Sequence, residues 1–229
     1  MKTDYQGPTR IETIEVAGRS IRLARPADPD RLLDAPDVLA LNARDDYMPY
    51  WAYLWPGAFL LAEAVAREPL APDTRVLEIG CGLGLTGLVA ATRGARVVFT
   101  DYDDAPLAFA AESARANGVP EDRFAVERFD WRSPIGPAFD TILGADVLYE
   151  RRLVPLVADV LAARLEADGV ALISNPYRVA AESFPEELET RGLRCDEEPI
   201  EAECVEFGKI RGKLYRVKRG STRATRPPR

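Results

Sequence analysis

The chain has 229 residues, 47% of them hydrophobic, and 30 Lys and Arg stand against 37 Asp and Glu for a net charge of −7. That length buries one large core and is short for two. There is no histidine, which excludes a Ser-His-Asp hydrolase, a Cys-His protease, a His-ligated zinc site and any His general base.

Ile11–Val16 and Ser20–Leu23 are β-rich and flank Ala17-Gly18, which predicts a hairpin. Residues 24–46 carry Pro26, Pro29 and Pro36 among Asp and Ala and read as loop with one short helix. Tyr47 to Gly57 is dense in aromatics, and Pro56 suits the first turn of a helix that Pro69 and Pro72 end. A regular alternation follows. Strands are expected at Arg75–Ile79, Arg96–Thr100, Phe124–Glu127, Asp140–Ala145 and Val170–Ser174. Helices are expected from Leu85 to Arg93, from a cap at Asp104 to Asn117-Gly118, and across Leu153, Leu156, Val157, Val160, Leu161 and Leu165, with Gly169 just past its end. Ser183 and Glu186 form a capping-box pattern before a short helix that stops at Gly192. Two last strands are expected near Cys195–Ile200 and Lys213–Val217. Such alternation predicts an α/β fold, a mostly parallel sheet with helices on both faces.

The cysteines Cys81, Cys195 and Cys204 are odd in number and scattered, so no disulfide framework is expected and a reducing cytoplasm fits. Met1 to Pro8 has no apolar signal region, and no run approaches the roughly 18 apolar residues of a membrane span. The acidic balance argues against nucleic acid as a partner. The charge is uneven: Lys209–Arg229 holds nine basic residues and no acidic ones, which leaves −16 on the rest. That end reads as a basic strand plus a solvated tail, or as a contact for an acidic partner.

The first strand runs into Glu78-Ile79-Gly80-Cys81-Gly82-Leu83-Gly84-Leu85-Thr86-Gly87. A loop with so little side chain lets a ligand approach the backbone, and the helix start offers free N–H groups. Asp101 ends the second strand, where a carboxylate can take both ribose hydroxyls. Gly82, Gly84 and Gly87 satisfy the G-x-G-x-x-G spacing of NAD-binding loops. The same loop also reads E-x-G-x-G-x-G, with Glu78 two residues before Gly80, and that form resembles motif I of the class I S-adenosylmethionine (SAM) methyltransferases. Asp101 fits both. Three later features separate them. Asp130-Trp131 follows the third strand, where an Asp can accept an adenine amine and an indole can pack on the ring. Asp146-Val147-Leu148-Tyr149 follows the fourth, at the carboxyl edge where α/β enzymes keep their sites. A strand pair closes the chain, as a seven-stranded sheet requires. A reductase would also need a proton donor, and there is no Tyr-x-x-x-Lys.

Pro49 to Arg178 resembles methyltransferase family 16, seven-β-strand enzymes that include protein lysine methyltransferases. The residues are Trp51-Ala52-x-Leu54-Trp55-Pro56-Gly57, Leu77 to Gly87, Asp130-Trp131-Arg132 and Ala145-Asp146-Val147-Leu148-Tyr149. Tyr50-Trp51-Ala52 with Trp55-Pro56-Gly57 is similar to the branch acting on the electron transfer flavoprotein β-subunit. The resemblance implies a Rossmann-like seven-stranded sheet with an antiparallel C-terminal strand. The order of elements along the chain divides it into an N-terminal arm with the hairpin (1–46), an expected SAM-dependent methyltransferase domain (47–219) and a basic tail (220–229); the arm before Tyr47 and the basic end after Lys209 lie outside the resemblance.

SAM is the cofactor it implies. Glu78, Gly80, Gly82 and Gly84 would shape the pocket for its methionine part and Trp51 would cover it. Asp101 would hold the ribose, and Asp130 and Trp131 the adenine; Cys81, a small residue in a tight loop, and Tyr102 complete the set. Asp146 and Tyr149 would face the methyl acceptor, with Trp55 and Tyr177 along its channel. Asn175-Pro176-Tyr177-Arg178 is otherwise a turn, and Asp103-Asp104 a helix N-terminal pair. The expected acceptor is a lysine of a protein, with a small amine or heterocycle, an NAD-dependent reductase and a cofactor-binding module as alternatives. No metal or membrane partner is expected. A lysine with a reference pKa of ~10.4 must lose a proton before it attacks, a deficit of ~4 kcal/mol near pH 7. Asp146 opposes that loss, so its expected role is recognition and orientation.

Overall fold

The computed structural model describes residues 5–220. Apolar residues on the central strands alternate, and the two sets feed two separate cores. Val76, Leu143 and Leu172 point to one face; Leu77, Ile79, Ile142 and Ile173 point to the other. Both faces must therefore be covered, which is why helices follow β3, β4, β6 and β7.

The strands of the main sheet are β3 (Arg75–Ile79), β4 (Arg96–Asp101), β5 (Phe124–Arg128), β6 (Phe139–Ala145), β7 (Leu165–Asn175), β8 (Leu193–Cys204) and β9 (Gly208–Arg219). Their order is β5-β4-β3-β6-β7-β9-β8. Pairing is parallel from β5 to β7, whereas β9 lies antiparallel between β7 and β8. Helices α2 (Pro56–Arg67), α3 (Leu85–Ala91) and α4 (Asp104–Ala116) contribute Val65, Leu88 and Phe109 to the first core. Helices α5 (Val154–Arg164) and α6 (Phe184–Glu189) contribute Val157 and Phe184 to the second. The expected seven-stranded, mostly parallel sheet is therefore present. The strand order switches sides at β3, with β4 and β5 following on one side and β6 and β7 on the other, and this leaves a crevice at the carboxyl ends of β3 and β6.

The hairpin forms as β1 (Thr9–Val16) and β2 (Arg19–Pro26), a separate two-stranded sheet turning at Ala17-Gly18. It is docked on α4: Ala24 N–H donates to Ser113 Oγ at 2.8 Å, and Asn117 accepts the Arg22 N–H at 2.9 Å. Leu23 and Ala24 are fully buried in the main core. The short helix of the following stretch is α1 (Pro36–Asp45).

Four expectations need correction. Asp103, not Asp104, holds the N-cap position of α4, and its side chain makes no cap bond; Asp104 is the first helical residue. The Ser183–Glu186 capping box does not form. Ser183 is the helical last residue of a 3-10 turn (Val179–Ser183) that leads into α6, so its side chain makes no cap bond. α5 passes directly into β7 at Leu165, and Gly169 lies inside that strand. β8 and β9 each run 12 residues, well beyond the expected segments.

The pairing of these two strands accounts for four of the nine basic residues of that end. Lys209 and Arg211 reach Glu201 at 2.6 and 2.8 Å, Lys213 reaches Glu197 at 2.7 Å, and Arg216 pairs with Glu198 at 3.1 Å and with Glu68 at 2.8 Å. Much of this positive charge is answered by acids on the adjacent strand. Residues 221–229 of the basic tail lie outside the described residues.

Candidate active site

The glycine loop leaves β3 and turns into α3 through three left-handed residues, Gly80, Gly82 and Gly84, with φ of 58°, 51° and 80°. Side chains rarely adopt that backbone. Close approach adds a second constraint: a Cβ on Gly80 would lie 3.0 Å from the Trp131 ring, and one on Gly82 would lie 3.5 Å from the Trp51 carbonyl. The loop is thus held between Trp131 and the segment carrying Trp51. Its backbone is tied down by Cys81 N–H donating to Thr100 O and Gly84 N–H donating to Cys81 O, both at 2.8 Å. Cys81 is buried, and burial foremost pushes its thiol well above the usual range, so it is a space-filling thiol and not a nucleophile.

Two carboxylates support the loop from different sides. Glu78 shares the sheet face of Val76 and so points at α3. It accepts the Gly87 N–H at 3.1 Å and is only 1% exposed. Burial pushes its pKa up to about 7, opposed by hydrogen bonds from Thr86 and Gly87. Glu78 therefore shapes the loop from beneath. Asp101 accepts the Gly82 N–H at 2.9 Å and the Asp103 N–H at 3.3 Å, and burial pushes it up to about 6. A carboxylate has roughly four acceptor positions, so Asp101 retains capacity for a ligand hydroxyl.

Trp51 is buried, stacked on Phe109 at 5.8 Å and edge-on to Tyr5 at 6.4 Å. Its Nε1 is buried without a partner. A buried donor left unpaired is costly, and this one lies in the residue whose backbone covers Gly82. Tyr47 Oη donates to Asp103 Oδ2 at 2.5 Å and pins the aromatic segment to the start of α4.

On the far side, Asp130 is held by Arg132, whose Nε lies 2.8 and 3.0 Å from its two oxygens and whose Nη2 lies 2.6 Å from one. The guanidinium also holds the Asp130 carboxyl below its ordinary range. The Tyr102 ring carries Arg128 at 5.3 Å and Arg132 at 5.7 Å. Neither arginine was singled out by spacing; the i, i+2 pair Asp130–Arg132 was the available signal.

The acceptor side is built on close backbone approach. Asp146 follows β6 with φ 56°, is 7% exposed, and donates its N–H to Ser174 O at 3.3 Å. A Cβ on Gly57 would fall 2.7 Å from Asp146 Cβ and 2.8 Å from Asp146 N, while Ser174 Oγ donates to Gly57 O at 2.7 Å. The start of α2 can meet Asp146 only through a glycine. Gly57→Ala is therefore expected to displace the Asp146 backbone and to lower methyl transfer at least about tenfold, since small misplacements are costly in catalysis. Steady-state rates beside a thermal melt check this; unchanged rates would show that the carboxylate position is not critical.

Aromatic rings cluster on the two segments that meet where Gly57 approaches Asp146. Tyr50 meets Trp55 at 5.8 Å and Tyr149 at 5.5 Å, both edge-on, and Trp55 Nε1 donates to Tyr50 O at 2.8 Å. Tyr149 is 41% exposed; burial first, then the Glu150 charge, pushes its hydroxyl up to about 12. Tyr177 is exposed at φ 58° and joins none of the ring contacts among the described residues. Its neighbour Arg178 reaches inward: Nε and Nη2 donate to the two Asp146 oxygens at 3.0 and 3.1 Å, and the guanidinium lies 5.8 Å from the Trp55 ring centre. That pairing spans 32 residues and had no local signal.

Strand order, reversed last strand, glycine loop and carboxyl-edge crevice together define the class I, SAM-dependent methyltransferase fold. Solved structures agree on the fold. A ribosomal protein L11 methylase from Lactobacillus delbrueckii subsp. bulgaricus matches with a TM-score of 0.55 at 21% identity, over 70% of this chain and 77% of that one. The magnesium protoporphyrin IX methyltransferase of Synechocystis PCC 6803 matches with a TM-score of 0.53 at 17% identity, over 68% and 78%.

Within that class, residues 52–190 match the lysine methyltransferase family model, and the chain belongs to this family. Curated relatives include the protein N-lysine methyltransferase METTL21A of Xenopus tropicalis, 32% identical over 56% of this chain and 61% of its own length. The electron transfer flavoprotein beta subunit lysine methyltransferase of Xenopus laevis is 33% identical over 60% and 56%. The histone-arginine methyltransferase METTL23 of Xenopus laevis is 38% identical over 44% and 46%. The chain thus spans about half to three-fifths of the length of these relatives.

Proposed function

We propose that the protein is a SAM-dependent N-methyltransferase that modifies a lysine side chain of a protein. The observation that carries this reading is the buried Asp146 carboxylate, whose backbone abuts Gly57 next to the aromatic segment of Tyr50 and Trp55 and which lies just before Tyr149 in the chain. An alkylamine packs its stem on aromatic rings and donates to a carboxylate oxygen. The relatives that methylate protein lysines support it. The cofactor set is Trp51, Glu78, Gly80, Cys81, Gly82, Gly84, Asp101, Tyr102, Asp130 and Trp131. The unpartnered Trp51 Nε1 and the side-chain-poor loop fit SAM.

Bound SAM supplies the methyl group on a sulfonium centre. The residues' task is alignment and water exclusion. Asp146 and the Tyr149 hydroxyl orient the acceptor nitrogen, and Trp55 and Tyr177 line its approach. The methyltransferase unit is residues 47–219, and the hairpin of 1–46 braces α4, whose Phe109 supports Trp51. No metal is needed; among the described residues no cluster of His, Cys, Asp and Glu could hold one. No helix among them is long and apolar enough to cross a membrane.

Incubation with tritiated SAM and a cell lysate tests the reading. Label is expected in acid-precipitable protein and, after hydrolysis, in methyl-lysine. Label in methylarginine or in a small molecule would overturn the lysine assignment. Absence of SAM binding by calorimetry would overturn the cofactor.

A further inference from the structure

A lone carboxylate at the acceptor site poses a chemical difficulty. It attracts the ammonium form of a lysine and stabilises its proton, whereas attack requires the neutral amine. The geometry around Asp146 removes that difficulty. Both carboxylate oxygens accept from Arg178 in a two-pronged contact, a fork-on-fork match that a lysine could not make. The carboxylate side chain is 6% exposed and the guanidinium side chain 37%, so the negative member is the buried one. The arginine is itself held in place. Its N–H donates to Asn175 Oδ1 at 2.7 Å, Asn175 is buried at the end of β7, and its guanidinium rests near the Trp55 ring. Burial of the guanidinium is offset by this pairing, which holds it above its ordinary range.

The other groups facing this point do not substitute for Arg178. Gly57, at the start of α2, brings no charge. Tyr149, from the segment after β6, is a phenol whose hydroxyl burial pushes up to about 12, and Tyr50, from the segment before α2, brings a ring and a hydroxyl. Glu150 is paired with Arg152, and Asp101 lies on the glycine-loop side, where its charge acts on Tyr149. Among the described residues, the ion pair of Asp146 is with Arg178.

We propose that Arg178 is a positioning residue that neutralises Asp146, so that the acceptor amine meets an uncharged pair and releases its proton to water before attack. This rests on the lysine reading above. Asp146 keeps acceptor positions beyond the two taken by Arg178, so it still orients the nitrogen. What it loses is the net negative charge that would hold the proton on.

The test is the pH dependence, from pH 6.5 to 10, of tritiated methyl transfer into lysines of lysate protein. Arg178→Met is expected to lower the rate about tenfold or more at pH 7. Its rising limb should move up by about one pH unit or more, as one uncompensated charge at close range dictates. The rate near pH 10 should return to within a few-fold of wild type. Arg178→Lys should fall between the two. Asp146→Asn leaves the cation alone, so the residual activity of that variant should rise at lower pH than wild type. If Arg178→Met no longer binds SAM, the direction of that second shift decides. Limbs that stay in place while rates fall equally at every pH would reduce Arg178 to a structural brace and overturn the proposal. A wild-type protein that labels no lysine would instead overturn the lysine reading, and this inference with it.

Discussion

Asp146→Asn should bind SAM within about threefold of wild type and lose methyl transfer by about a hundredfold or more at pH 7. Asp146 sits just past the end of β6, while the residues assigned to the cofactor lie at the ends of β3 and β4, in the segments after β3, β4 and β5, and at Trp51 before α2. Asparagine tolerates the left-handed backbone at φ 56°, so the substitution removes a charge and an acceptor without forcing the turn. Asp146→Ala should show the same split with a further loss of stability, because alanine fits that backbone poorly. Calorimetry with SAM and a label-transfer assay read the two halves separately. Loss of SAM binding in the asparagine variant would move Asp146 from the acceptor side to the cofactor side.

The second large effect concerns stability and Glu78. Its pKa is raised from 4.5 to about 7 by burial. A raised carboxyl pKa means that the folded state holds the proton more tightly than the unfolded chain does. The stabilisation is therefore full below about pH 4.5 and is lost as pH rises through about 7. At ~1.36 kcal/mol per unit, that window spans roughly 3 kcal/mol. Glu78→Gln keeps an acceptor for the Gly87 N–H and removes the titration. The variant's Tm is expected to gain on wild type between pH 5 and pH 8, by about 5–10 °C for a chain of this size. An equal Tm difference at both pH values would show that Glu78 ionises in place at no cost. The wild-type residue is thus expected to trade stability for loop geometry. A carboxylate accepts firmly from the first turn of α3, and that turn sets where the glycine loop begins.

The architecture was legible because both of its signals are local. Short runs such as Arg75–Ile79 and Asp140–Ala145 are bounded by turn residues, and the α5 stripe follows one helix face. The full lengths of β8 and β9 were not, because β8 is an outer strand with little to bury and β9 extends with it, residue against residue. Glu197, Glu198 and Glu201 alternate against Lys213, Arg216 and Arg211 by charge instead of by hydropathy, so no apolar period marks them. The capping box misled for a related reason: Ser183 had the right spacing, but the preceding 3-10 turn already fixed its backbone as helical. At the site, the glycine loop and the carboxyl-edge position of Asp146 were readable from motif and topology. The partners that set their chemistry were not. Arg178 reaches Asp146 across 32 residues, and Phe109 reaches Trp51 from another helix. Contacts of that kind exist only once the sheet has assembled.

The hairpin at the sheet's end has one more consequence, for how copies of this chain avoid each other. Among the described residues β8 pairs on one side only, so its other side offers free backbone groups to any extended strand. It carries Asp196, Glu197, Glu198, Glu201 and Glu203, and Pro199 brings no N–H to donate. A second β8 approaching edge to edge would bring carboxylates against carboxylates. The acids that answer β9 thus also guard the molecule against fibre-like stacking.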